Sequence, residues 1–146
     1  MSRIAYADVE VGTELPGQVF PVDRATLVHY AGASLDFNPI HWNERFAVEV
    51  GLPNVIAHGM FTMAEAIRVV TDWVGDPGAV LEYGVRFTRP VPVPDVPAGE
   101  VAAEIEVSAK VAARLDDEQR TVRVDLTALS GGQKVLGQAR AVVRLG

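Results

Sequence analysis

Three histidines are the only imidazoles in this 146-residue chain, so each can be weighed by its neighbours. His41 closes the run Asp36-Phe-Asn-Pro-Ile-His41, five residues after a carboxylate and across a stiff Asn-Pro bend. Pro39 lacks an N–H and confines Asn38 to an extended shape, which makes this the most constrained stretch of the sequence. A carboxylate and an imidazole held close together form a proton-transfer pair, because histidine titrates nearest neutrality and a neighbouring carboxylate tunes it. The same run also reads as plain architecture, with Asp36 and Asn38 as turn-formers and His41 as a capped helical residue.

A second candidate is Ala57-His-Gly-Met-Phe-Thr62. A buried helix starting here presents unpaired N–H groups and a partial positive charge at its first turn. Gly59, without a side chain, lets a ligand come close to the backbone, which suits polarisation of a carbonyl as negative charge develops on it. The plainer alternatives are that Gly59 only eases the start of the helix and that His58 hydrogen-bonds the turn. His29, between Val28 and Tyr30, reads as an ordinary helical residue.

Other chemistries find little support. There is no cysteine, hence no disulfide, thiolate ligand or thiol nucleophile. His41 has Glu44 nearby and His58 has no acidic residue before Glu65, which is poor spacing for a metal site. Gly131-Gly132 lacks the lysine and helix of a phosphate loop, Ser34 lacks a nucleophile elbow, and Trp42 and Trp73 read as core. Nineteen acidic against thirteen basic residues give a formal charge of −6, and no basic run is present to neutralise nucleic-acid phosphates. Arg86, Arg89, Lys110 and Arg114 form no basic cluster. The first ten residues lack a signal-peptide core, and the longest apolar candidate, residues 57–74, is broken by Glu65, Arg68 and Asp72. These features predict a cytoplasmic protein that binds neither nucleic acid nor membrane.

The elements that must position these residues follow from periodicity. Residues 14–22 read as extended, and Asp23 caps a helix carrying Leu27, Tyr30 and Ala31, broken by Gly32-Ala-Ser34. A short helix is predicted over Trp42–Val50, then a long one from about Ala57 to Val74, apolar on most sides and therefore largely buried. Gly75-Asp-Pro-Gly78 ends it and the period changes to two. Strands are predicted over Val80–Thr88, Glu100–Leu115, Arg120–Leu129 and Lys134–Leu145, with a Pro-rich connection at Pro90–Pro97 and turns at Asp116–Gln119 and Ser130–Gln133. The result is one α+β domain spanning residues 1–146, a meander of antiparallel strands wrapped on one long helix. Its exposed sheet edges predict a dimer.

Tyr30-Ala-Gly-Ala-Ser-Leu-Asp-Phe-Asn-Pro-Ile-His41 with Phe46-Ala47, Ala57-His-Gly-Met60 with Thr62, and Val85-Arg-Phe-Thr88 with Pro90-Val91 together resemble the hydratase 2 landmarks of the MaoC-like hot-dog family. A narrower likeness, in Asn38-Pro-Ile-His-Trp42, Trp73–Val80 and Val91-Pro-Val-Pro94, is to the catalytic subunits of (3R)-hydroxyacyl-carrier-protein dehydratases of fatty-acid elongation. The resemblance implies a single hot-dog domain, an antiparallel sheet around one central helix. It also implies reversible hydration of trans-2-enoyl thioesters to (3R)-3-hydroxyacyl thioesters. Asp36 and His41 would then be the catalytic pair, Gly59 the carbonyl-binding N–H, Thr62 a small hydroxyl residue supporting the site, His58 a neighbour of the substrate, and Asn38 the brace of the turn. No bound cofactor is implied, since the CoA or acyl-carrier arm belongs to the substrate. The implied partner is a second hot-dog subunit, in a homodimer or a heterodimer. A hot-dog thioesterase and a non-catalytic partner subunit are the rival readings. One departure is Leu35, where the family has Gly; a side chain there disfavours a left-handed backbone and points to a different turn or a reshaped pocket.

Overall fold

The structure, a computed structural model, describes residues 4–146; the first three residues of the N-terminal stretch judged above lie outside it. Strand β1 (Glu14–Val22) leads into helix α1 (Arg24–Ser34). A 3₁₀ turn (Pro39–His41) and the short α2 (Glu44–Glu49) precede the long α3 (Gly59–Val74). The remaining strands are β2 (Val80–Phe87), β3 (Ala103–Asp116), β4 (Thr121–Ser130), β5 (Gln133–Lys134) and β6 (Leu136–Arg144). No helix among the described residues is long and apolar enough to cross a membrane.

All strand pairings are antiparallel, in the order β1-β3-β4-β6-β2, with the two-residue β5 beside β4. The predicted meander therefore holds only for β3, β4 and β6. Strand β2 pairs with the last strand, β6, and the first strand, β1, lies at the far edge against β3. The sequence periodicity assigns each strand a face but says nothing about its neighbour. Along β3 the alternation is realised, with Ile105, Val107, Ala109 and Val111 buried and Glu104, Glu106, Ser108 and Lys110 exposed.

Helix α3 packs against β1, β2, β3 and β4, burying Phe61, Thr62, Ala66, Val69, Val70 and Val74. Its polar residues lie away from that core: Arg68 pairs with Glu65 at 2.8 Å, and Asp72 accepts from Gln18 Nε2 of β1 at 2.9 Å. On the other side the Tyr83 hydroxyl donates to the Met63 carbonyl at 2.8 Å, tying β2 to the helix. Burial pushes the Tyr83 phenol above its ordinary pKa, so it stays protonated and remains a donor.

Three local expectations need correction. Helix α1 begins as predicted, with Asp23 accepting from Thr26 N at 2.7 Å, but it runs through Gly32, Ala33 and Ser34 instead of breaking there. It ends at Leu35, which takes the left-handed conformation (φ 62°) that its side chain was expected to resist. The predicted Trp42–Val50 helix is the 3₁₀ turn plus α2, started by Asn43, whose side chain accepts from Phe46 N. Trp42 is not core: it is half exposed and its indole N–H donates to the Phe37 carbonyl.

Candidate active site

Segment Val55–Ala57 carries the site, because two chain stretches hold it from opposite sides. The Pro-rich connection after β2 forms one side: Ala57 N donates to Val91 O at 2.9 Å and Val93 N to Val55 O at 2.8 Å. Val91 and Val93 are buried, which anchors this connection in the core. The Asn-Pro bend forms the other, with Ile56 N donating to Ile40 O at 3.1 Å. Arg24 clamps the outside by donating to Val93 O, Asn54 Oδ1 and Glu44 Oε2. These bonds tie the bend to the segment that leads into α3.

Within the bend, each turn-forming group has a partner. Ser34 Oγ accepts from Asp36 N, Asp36 Oδ1 accepts from Asn38 N, and Asn38 Oδ1 accepts from Ile40 N. Such Asx-type bonds replace the hydrogen bonds a helix or strand would have made. His41 is buried, and its Nδ1 lies 2.7 Å from the Ile56 carbonyl. A carbonyl only accepts, so Nδ1 carries the proton and Nε2 is left as the working atom. That Nε2 faces Asp36 Oδ2 at 3.8 Å, beyond direct hydrogen bonding, so both groups can bond the same reacting oxygen.

His58 lies behind this pair. Its ring stacks on that of His41, centroids 3.7 Å apart and planes at 20°, and Tyr30 meets it edge-on at 4.7 Å. Nε2 donates to the Asp36 main-chain carbonyl at 3.1 Å, while Nδ1 is buried with no hydrogen-bond partner. The His58 pKa is pushed down, chiefly by burial; the bond to Asp36 O opposes this and the charge of a protonated His41 adds to it. His58 is thus held neutral.

Asp36, His41 and His58 each offer an atom within 4.8 Å of the others, a grouping that the sequence spacing did not expose. The two imidazoles are stacked, however. Their in-plane lone pairs run along nearly parallel planes, so one ion cannot bond both rings at about 2.0–2.1 Å.

Helix α3 opens without a cap: the His58 side chain makes no capping bond. The amides of Gly59, Met60 and Phe61 have no protein acceptor among the described residues, and the first helical bond runs from Thr62 N to His58 O. Such amides, at the positive end of the helix dipole, form a site for a partly negative oxygen. Gly59 does not need its glycine for backbone conformation, since its φ is not positive. A Cβ there would instead lie 3.0 Å from two ring carbons of Phe87.

An apolar cavity of about 430 Å³ adjoins this helix start, within the range of small-ligand sites. His41, Gly59 and Thr62 line it together with Phe87, Leu136 and Arg89, whose guanidinium bonds the Gln133 side chain. Asp36, Asn38 and His58 stand behind the wall and do not line it: Asn38 braces the bend as the resemblance implies, through Ile40 N, and His58 does so through its bond to Asp36 O. Phe87, quoted above within a motif, lines the cavity with Leu52, Val135 and Leu136, and the sequence reading gives none of these a role. Its contact with Gly59 joins residues 28 positions apart, and local spacing carries no signal of it.

Comparison with known proteins bears on this geometry. The family model described as "MaoC like domain" matches residues 8–128. 3-Hydroxyacyl-thioester dehydratase X of Mycobacterium tuberculosis is 39% identical over 89 residues, which is 61% of this chain and 30% of that protein. 3-Hydroxybutyryl-CoA dehydratase of Methylorubrum extorquens is 32% identical over 137 residues, 92% of this chain and 80% of that one. A solved structure described as a MaoC-like dehydratase superposes with a TM-score of 0.90 at 42% identity, covering 99% of this chain and 43% of that one. The chain thus spans less than half the length of two of these three proteins. With its antiparallel sheet around one central helix and its matched residues 8–128, the chain belongs to the MaoC-like family of hot-dog proteins.

Proposed function

We propose that this chain catalyses the reversible interconversion of trans-2-enoyl and (3R)-3-hydroxyacyl thioesters, acting on CoA or acyl-carrier substrates of fatty-acid metabolism. One observation carries the reading: His41 Nε2 faces Asp36 Oδ2 at 3.8 Å beside a cavity bordered by the uncapped start of α3. The dehydratases among its relatives support it.

The chemistry follows from what must move. Dehydration removes a proton from C2, alpha to the thioester carbonyl, and expels the C3 hydroxyl, which leaves as water once protonated. The Gly59 N–H bonds the carbonyl oxygen and stabilises the enolate-like charge. One member of the Asp36/His41 pair takes the C2 proton and the other protonates the departing oxygen. In hydration the pair binds and deprotonates water, and the steps reverse. Acid–base help of this kind is worth about 10²–10⁴-fold, and a carbonyl donor about 10²–10³-fold. Thr62, buried in the cavity wall, supports the acyl end, and His58 and Asn38 hold the pair in place. The thioester brings its own carrier arm, and the scheme uses no resident cofactor.

The active assembly is a dimer with a second hot-dog subunit, either another copy or a related chain. Supporting this, β2 is an unpaired sheet edge with Leu81 and Phe87 exposed, an arrangement that folded proteins usually cover. The test is hydration of crotonyl-CoA and longer enoyl thioesters, followed by loss of the conjugated absorbance, alone and with a candidate partner chain. The reading predicts hydration without release of free thiol. Thiol release in place of hydration points to a thioesterase, and neither reaction under any pairing contradicts catalysis.

A further inference from the structure

Phe87 is the last residue of an edge strand, and its side chain is 55% exposed although its ring covers part of an internal site. The backbone is pinned: Phe87 pairs with buried Leu136 of β6, and the next amide, Thr88 N, donates to Val135 O at 3.1 Å. The ring projects over Gly59. A Cβ on Gly59 would lie 3.0 Å from Cδ1 and Cε1 and 3.3 Å from Cγ, closer than carbon atoms ordinarily pack. Phe87 and Gly59 therefore occupy one tight contact inside the cavity wall, next to the free amide at the start of α3.

We propose that Phe87 is a specificity-determining residue whose ring excludes substituents at C2 of the acyl group. This rests on the carbonyl seating proposed above. An oxygen bonded to the Gly59 N–H places C1 beside Gly59 and C2 one bond further along, against the ring. An unbranched chain carries only hydrogen at C2 and passes the ring, whereas a 2-methyl group needs the volume the ring fills. The same contact explains the glycine: a methyl at position 59 pushes the ring into the space of the substrate.

The test compares crotonyl-CoA with its 2-methyl analogue in the wild type, Phe87→Ala and Phe87→Leu, with circular dichroism confirming that each is folded. Phe87→Ala is expected to raise kcat/KM for the 2-methyl substrate relative to crotonyl-CoA by about tenfold or more, with Phe87→Leu between, since one methyl group in an apolar pocket discriminates by about 10–200-fold. Gly59→Ala is expected to lower kcat/KM for crotonyl-CoA about tenfold, and adding Phe87→Ala is expected to restore part of it, because contacting residues are not additive. An unchanged substrate ratio together with additive losses overturns the role of Phe87 while leaving hydration intact. A wild type that hydrates neither substrate in any pairing overturns the carbonyl seating itself, and this proposal with it.

Discussion

The rings of His41 and His58 lie face to face at 3.7 Å, and the second of them also donates a hydrogen bond to the main chain of Asp36. One buried side chain thereby touches both members of the pair. Cutting His58 back to alanine removes the flat surface under His41 and the bond to Asp36 O. Misplacement by about 1 Å costs on the order of 10²-fold in rate. His58→Ala is therefore expected to lower kcat about 10–100-fold while changing KM little, and His58→Phe, which keeps a ring but no donor, falls between. Steady-state kinetics on folded variants reads both. A KM effect alone would place His58 against the substrate instead.

Stability should respond to pH through the same residue. His58 is held neutral mainly by burial, with Asp36 O, the Asp36 carboxylate and His41 as its polar neighbours, so its folded pKa lies below the unfolded value of about 6.5. The unfolded chain then binds the proton more readily than the folded one. The His58 contribution is full above about pH 6.5 and is lost as pH falls from there through the lower folded value. Thermal denaturation of the wild type and His58→Phe across pH 5–8, an interval of about three units chosen around that pKa, should show a shallower acid decline in the variant. Parallel declines would contradict this.

Leu35 offers a gain. A side chain in the left-handed region costs about 1–2 kcal/mol. Glycine would remove that at a backbone-entropy cost of about 0.5–1 kcal/mol. Leu35 is 75% exposed, so little apolar burial is lost. Leu35→Gly is expected to raise Tm by about 1–3 °C. A fall in Tm would show that the leucine side chain stabilises the turn by contacts that outweigh its strain.

The Tyr83 hydroxyl joins β2 to α3 and stays protonated, so Tyr83→Phe deletes a single neutral bond to Met63 O. The expected loss is about 0.5–1.5 kcal/mol in urea unfolding. Since β2 also carries Phe87, kcat/KM should fall with it. Unchanged stability would mean that packing alone holds the strand.

Much of this arrangement could be read along the chain, and the exceptions share a cause. The Asp23 cap, the alternation of β3 and the Asn-Pro bend are local: each depends on residues a few positions apart, where spacing and backbone chemistry decide. Helix α1 outruns Gly32 and Ser34, which look like breakers, because Ser34 satisfies its hydroxyl on Tyr30 O and lets the helix run on. The pairing of β2 with β6 departs from a simple meander because strand order is a property of the whole sheet. The same holds for the site. The spacing of Asp36 and His41 marks them as neighbours, and the structure sets them 3.8 Å apart, whereas the neighbour that it sets against Gly59 is the Phe87 ring. The stacking of His58 on His41 and the ring of Phe87 on Gly59 are tertiary contacts, closed by the 91–93 connection and the β2–β6 pairing, and sequence spacing does not encode them.

The most direct measurement is kcat for crotonyl-CoA hydration by Asp36→Asn and His41→Ala, each checked for native circular dichroism and assayed in the assembly that is active as wild type. The arrangement of these two groups at the free end of α3 predicts a fall of about 10²–10⁴-fold in each, with the fold retained. Near-normal turnover by either variant would contradict it.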